Sequence, residues 1–159
     1  MKITIVSVGK IKEKYLLDGV KEYVKRLGKY TKVEEIVLQD EPIKDKSSDA
    51  LNEEIKLKEG RKIISAIDPK SYKIILDLRG KMLDSEELAK KFLEIQSYHA
   101  SNITFVIGGS LGLSKEVLQM ADFSISFSKM TFPHQLMKLI LVEQIYRAFK
   151  INNNETYHK

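Results

Sequence analysis

Three stretches carry residue types that could recognise a small ligand: Leu76-Asp-Leu-Arg-Gly80, Gly108-Gly-Ser-Leu-Gly112 and Ser126-Phe-Ser-Lys-Met-Thr-Phe-Pro133. Their glycines let backbone amides approach a ligand, and Ser128 and Thr131 offer small polar handles. Leu76, Phe127, Met130 and Phe132 could cover a flat apolar face. Such a set suits an adenine joined to a thioether chain, a neutral-to-cationic ligand that needs no phosphate cradle. The same residues would also serve as ordinary turns and core. Several other chemistries lack their residues. Ile107 stands where a GxGxxG fingerprint needs glycine, and Lys129 where an acid would hold a dinucleotide's ribose. No GxxxxGK[ST] loop or GxSxG elbow occurs. The chain has no cysteine, which excludes thiolate catalysis, disulfides and iron–sulfur clusters. His99, His134 and His158 stand far apart, so no protein-held metal is expected. Asp77 and Asp122 are the only carboxylates near strand ends, and Asp122 reads as a turn cap.

The elements that must carry these loops follow from hydrophobic period. Ile3–Val8 reads as a buried strand ended by Gly9, and residues 12–30 as a helix with apolar residues at a three-four spacing. Val33–Leu38 is a second strand, and residues 39–49, with Pro42, a polar connection. Residues 49–67 return to helix with Gly60 as a weak point. Tyr72–Leu78 reads as a third strand ended by Arg79-Gly80. Asp84-Ser-Glu-Glu87 is a capping box that opens the next helix. Ile103–Ile107 runs as a fourth strand into Gly108, Ser114 caps a short helix, and Phe123–Phe127 is a fifth strand. Pro133 suits the first turn of a helix to about Lys150, and residues 151–159 form a polar tail. Strands alternating with helices, the last three strands uninterruptedly apolar, predict an α/β fold of one domain, residues 1–159. Its sheet is mainly parallel, with helices on both faces.

Charge is uneven. Residues 1–32 hold nine basic and three acidic side chains, a surplus of six where the whole chain has five. A basic stripe marks a polyanion partner, and Tyr15, Tyr23 and Tyr30 within it could stack on bases or ribose; equally, the helix could be merely solvated with its tyrosines inward. The last helix is apolar on more than one face, from Leu136 to Phe149, and so needs cover on two sides. A second subunit would supply it, which predicts a homodimer. No stretch is long and apolar enough to span a membrane, and cytoplasmic is the default location.

The loops occur within longer stretches: Leu76 to Glu87, Phe105 to Ser114, Ser126 to Met137, Leu141 to Ile151 and the closing Tyr157-His-Lys159. In this order they resemble the SPOUT methyltransferases that modify a pseudouridine in bacterial 23S ribosomal RNA, and the likeness covers essentially the whole chain. It departs at Thr156, where relatives often have proline before Tyr-His.

The resemblance implies a homodimer whose C-terminal part forms a deep trefoil knot, a topology that general chain rules count as essentially absent. It implies S-adenosylmethionine bound by Leu76, Gly108, Phe127, Ser128, Lys129, Met130, Thr131 and Phe132. It also implies methyl transfer to N3 of a pseudouridine, with the tail at the active site. There Tyr157 could stack on or hydrogen-bond the base, and Lys159 or Arg147 could stabilise an imide anion. His158 is either a general base or a residue that positions the RNA. His99 and His134 are expected to be structural, His134 through a hydrogen bond. With no added RNA-binding module, the partner is 23S rRNA within the ribosome, met by the basic N-terminal segment of both subunits. A non-catalytic RNA-binding protein of the same fold is the alternative; it predicts weak cofactor binding and tolerance of change at Gly108 and Thr131.

Overall fold

A computed structural model describes residues 1–159. The elements in chain order are β1 (Lys2–Val8), α1 (Lys14–Leu27), β2 (Lys32–Leu38), α2 (Asp49–Ala66), β3 (Tyr72–Met82) and α3 (Ser85–Tyr98). They are followed by β4 (Asn102–Ile107), α4 (Lys115–Gln119), β5 (Phe123–Ser126) and α5 (His134–Asn152). The five strands form one sheet in the order β2-β1-β4-β3-β5, every pair parallel. Parallel neighbours need a crossover between them, and the helices supply it. Alternate strand residues face opposite covers. Ile3, Ile5, Ile74, Ile103 and Phe105 pack into a core with residues of α1, α3 and α5. Val6, Val8, Ile75 and Val106 pack with Ile63 of α2, Ile67 and Val117 of α4 on the other face. Helices on both faces explain why the central strands are apolar throughout.

Five features differ from the sequence reading. β3 does not stop at Arg79-Gly80. Its pairing with β5 breaks after Leu76 and resumes at Lys81, so Ile125 is partner to both. Residues 77–80 bulge out between these two contacts, and Gly80 lies directly on the β5 backbone: a Cβ there would be 2.6 Å from the Ile125 carbonyl carbon. Gly60 likewise is no weak point in α2. It is buried, and a Cβ would collide with the Ser114 hydroxyl that caps α4 by accepting from the Val117 N–H. Pro133 is the N-cap of α5 rather than a residue of its first turn.

The aromatic residues of the basic segment also divide. Tyr15 is exposed, but Tyr23 and Tyr30 turn inward, Tyr23 5.9 Å from the Tyr146 ring and Tyr30 stacked 5.9 Å from Phe149. The fourth difference concerns α5, which packs against both α1 and α3. Two of its apolar sides are therefore covered within the chain, and its sequence alone does not call for a second subunit. Its first turn is fastened by buried Lys138, whose Nζ lies 2.9 Å from Glu35 Oε1 and 3.4 Å from Ser7 Oγ. Asp122 does not cap its own turn: it reaches across to β3, its carboxylate accepting the Lys73 N–H at 2.8 Å, while His99 ends α3 with its ring 5.3 Å from Tyr72.

Beyond α5 the chain reverses at Asn154, whose φ is +54°, and returns along the helix it has just left. Glu155 is the anchor. It accepts from the Tyr30 hydroxyl at 2.6 Å and from the ammonium groups of Lys150 at 2.6 Å and Lys29 at 3.2 Å. The Lys150 bond, then the Tyr30 bond, hold its carboxyl at about 2, well below the ordinary 4.5.

Two stability measurements test these contacts. Gly60→Ala should cost about 1–2 kcal/mol, because the Ser114 side chain can rotate away at the expense of its cap. Gly80→Ala meets backbone that cannot rotate, so its cost should reach or exceed the upper end of the usual ~1–3 kcal/mol for overpacking. Urea unfolding of both variants measures the ranking. For Glu155, a folded value below the unfolded one means its stabilisation is complete above pH 4.5 and is lost as pH falls from there toward about 2. Glu155→Gln should lower the urea midpoint at pH 7 and reduce its fall between pH 5 and pH 3.

Candidate active site

The strand order sets β4, β3 and β5 side by side, so the three loops singled out in the sequence leave the same end of the sheet as neighbours. Open α/β sheets bind ligands at that end. Here the loops enclose a cavity of about 890 Å³. Leu76 and residues 77–79 form one wall, Gly108–Leu113 a second, and Ser126, Phe127, Ser128, Thr131 and Phe132 a third. His134 and Met137 of α5 close it. His134 makes no hydrogen bond, contrary to expectation; its Nε2 lies 3.2 Å from where a Cβ on Gly9 would stand. The bulge in β3 thus contributes directly, because it turns Asp77 and Arg79 to the cavity instead of continuing the ladder.

Of the eight residues assigned to the cofactor, Leu76, Gly108, Phe127, Ser128, Thr131 and Phe132 line this cavity. Lys129 and Met130 do not: both are exposed, and the Met130 N–H is held at 2.9 Å by the Ser128 hydroxyl. The lining fits the implied S-adenosylmethionine. Leu76, Ile107, Leu118, Ile125, Phe127 and Phe132 give apolar surface for a flat base, and the 108–112 loop presents backbone. Asp77 is the cavity's carboxylate, and Arg79 Nη2 lies 3.5 Å from its Oδ2.

A second cavity of about 510 Å³ adjoins the first and shares Phe127 and Phe132 with it. Its other walls are Leu83, the start of α3 (Asp84, Ser85, Glu86), Ile140, Gln144 and the tail residue His158. The Ser85 hydroxyl donates to Gln144 Oε1 at 2.7 Å, and Gln144 Nε2 donates to Glu143 at 2.8 Å, so this amide has a fixed orientation. His158 Nδ1 lies 3.3 Å from Arg147 Nη1, and Nε2 lies 3.8 Å from Glu86 Oε1. Arginine can only donate, so Nδ1 is the acceptor and the proton of the neutral ring sits on Nε2.

Tyr157 stands apart from both cavities. Its ring meets Tyr146 edge-on at 4.9 Å, and its hydroxyl donates to Glu143 Oε1 at 3.0 Å. Burial, then hydrogen bonds to Tyr23 and Glu143, push the phenol well above its ordinary value of 10. Its hydroxyl is thus tied to Glu143 and its ring to Tyr146.

Sequence reasoning missed three carboxylates. Glu143 gathers Arg147 (2.6 Å) and Tyr157, and only the first partner, one helical turn away, could have been guessed. Glu155 anchors the tail through partners more than a hundred residues distant. Glu59 of α2 is buried behind the glycine loop, with Oε1 3.1 Å from where a Gly109 Cβ would stand and Oε2 accepting the Glu41 N–H at 3.0 Å. Burial pushes its carboxyl up.

The chain is similar to known proteins along its whole length. The family described as "Predicted SPOUT methyltransferase" matches residues 1–158. A protein of Carboxydothermus hydrogenoformans named Ribosomal RNA large subunit methyltransferase H is 55% identical over 159 residues, covering all of both chains. Proteins of the same name from Exiguobacterium sp. and Exiguobacterium sibiricum are each 54% identical, again over all of both chains. The structure of "a probable methylase family protein" from Haemophilus influenzae Rd KW20 aligns with a TM-score of 0.54 at 17% identity. That alignment covers 99% of this chain and 70% of the other, a likeness of fold alone. With a glycine-walled cavity at the strand ends and end-to-end identity above one half, this chain belongs to the SPOUT methyltransferase family.

Proposed function

We propose that this protein is a ribosomal RNA methyltransferase that uses S-adenosylmethionine to methylate N3 of a pseudouridine in 23S rRNA, on the assembled ribosome. The observation that carries the reading is the pair of cavities walled by the same Phe127 and Phe132, in a chain that matches ribosomal RNA large subunit methyltransferases from end to end. The larger cavity takes the cofactor and the smaller the acceptor base, and the two meet along the shared edge that Phe127 and Phe132 line. Leu76, Gly108, Phe127, Ser128, Thr131 and Phe132 would hold the cofactor. When bound, it supplies an electrophilic methyl group on a positively charged sulfur.

The chain's own task is orientation and charge. N3 of the base gives its imide proton to solvent water, and the nitrogen–methyl bond then forms as the sulfur–methyl bond breaks, leaving a neutral thioether. In this arrangement His158 presents an N–H toward the smaller cavity, and Arg147 lies behind it. Donated to a carbonyl beside N3, that N–H stabilises the negative charge that develops on the imide. This supports a positioning and charge-stabilising role for His158. To act as a base it would first have to release Arg147.

The reading includes a single catalytic domain, residues 1–159, a C-terminal trefoil knot and a homodimer. The return of β3 onto β5 after the break between Leu76 and Lys81 supports the knot, because that excursion forms an arch at the part of the chain where the knot is expected. Half-buried Leu136 and Ile140 on α5 support a subunit contact. Exposed Lys14, Lys21, Lys25 and Arg26, with exposed Tyr15 and the preceding Lys12, support α1 as the face that meets RNA phosphates. A ribosomal substrate supports a cytoplasmic location, and no helix is long and apolar enough to cross a membrane.

Transfer of labelled methyl from S-adenosylmethionine to ribosomes lacking it tests the reaction, and label in a pseudouridine is the expected result. Label elsewhere in the ribosome would refute the substrate, and absence of cofactor binding would refute the enzyme. His158→Ala should lower kcat about 10²-fold, as for loss of a single charge-stabilising donor. His158→Gln, which keeps an N–H, should retain more activity; equal loss in both would favour the base. For docking, Lys21→Ala/Lys25→Ala should make ribosome affinity less salt-dependent, the slope of log K against log salt falling by roughly one for each phosphate no longer neutralised.

A further inference from the structure

We infer that Glu155 is a positioning residue for methyl transfer, holding the tail so that His158 meets the acceptor base in one orientation. The inference rests on the proposed role of His158. Three side chains converge on this carboxylate: Lys29 and Tyr30 from the end of α1, and Lys150 from the last turn of α5. Its own N–H also donates to the Lys150 carbonyl at 3.0 Å, so backbone and side chain are both fixed. The Tyr146 ring lies 5.6 Å from the Lys150 ammonium beside it. Two cations and a phenol meeting one carboxylate form a much stronger hold than an ordinary surface pair.

His158 has little of its own to fix it. Its contact with Arg147 is 3.3 Å long and exposed, and Glu86, 3.8 Å away, is exposed as well. The hold on its orientation therefore comes from upstream, through Tyr157 on Tyr146 and Glu143, and first through Glu155. Glu155 lines neither cavity, so any effect on the reaction must pass through the tail. No proline stiffens the approach to Tyr157, since residue 156 is threonine. A displacement of even an ångström at a reacting group costs orders of magnitude in rate, which makes this remote carboxylate kinetically visible.

The test compares wild type, Glu155→Ala and Glu155→Gln in methyl transfer to ribosomes, with S-adenosylmethionine affinity by calorimetry and carboxypeptidase trimming of the tail. Glu155→Ala should lose roughly tenfold or more in kcat, with cofactor Kd within about twofold of wild type and faster trimming. Glu155→Gln keeps an acceptor without the charge and should fall between them. Tyr30→Phe, which removes one of the three donors and leaves the carboxylate, should show a smaller loss in the same sense. The inference is overturned if Glu155→Ala keeps kcat within twofold, or if cofactor affinity falls in step with rate. A wild type that transfers no methyl overturns the underlying reading too, whereas an active wild type matched by an equally active Glu155→Ala overturns this inference alone.

Discussion

At Gly80 two stretches of backbone lie against each other with no room for a side chain between them, and the shape of the ligand end of the sheet depends on that contact. β3 leaves its pairing with β5 after Leu76 and regains it at Lys81. The intervening residues can arch outward only because the chain returns to the same place on Ile125. The arch is what turns Asp77 and Arg79 into a wall of the larger cavity. On the far side, the end of β5 leads into residues 127–133, whose two phenylalanines line both the larger and the smaller cavity. One close approach thus shapes both.

Electrostatics then finishes what packing begins. Residues 1–32 carry the surplus positive charge, yet Lys29 and Tyr30, just beyond the C-terminus of α1, are turned to Glu155. The basic segment around α1 is in this way joined to the tail, whose His158 lines the smaller cavity. A second carboxylate, Glu143, holds Arg147 and Tyr157 from the middle of α5, and together the two fix a segment that would otherwise fray as chain ends do. The phenol of Tyr157, raised by burial, stays neutral throughout the working range and serves as a peg.

Much of this was legible in the residues. Uninterrupted runs such as Ile103–Ile107 marked strands covered on both faces, the Asp84–Glu87 box marked the start of α3 to the residue, and glycine clusters located the cavity loops. The failures share a cause. Gly60 and Gly80 were read as local punctuation, but both are glycine because another part of the chain occupies the space a side chain would need. Tyr23 and Tyr30 sit in a basic, helical context whose inward face could not be told from its outward one without knowing where α5 lies. Lys129 and Met130 belong to the matching run but point away from the cavity, which a linear motif cannot express. Glu155 had no signal at all, because its partners are distant in sequence and its neighbours look like a disordered end.

The place of α5 in the core bears on how the protein is made. Leu141, Val142, Ile145, Tyr146 and Ala148 are buried against the face that includes Ile3, Ile5 and Phe105. These α5 residues follow all five strands in the chain. During translation the first strands must therefore wait with one side bare, since their cover is still being assembled behind them. The fold cannot close strand by strand as the chain emerges; it is completed in one late step that seats α5. The same step brings His158 to the smaller cavity, so a nascent chain acquires its core and the contacts of its tail together.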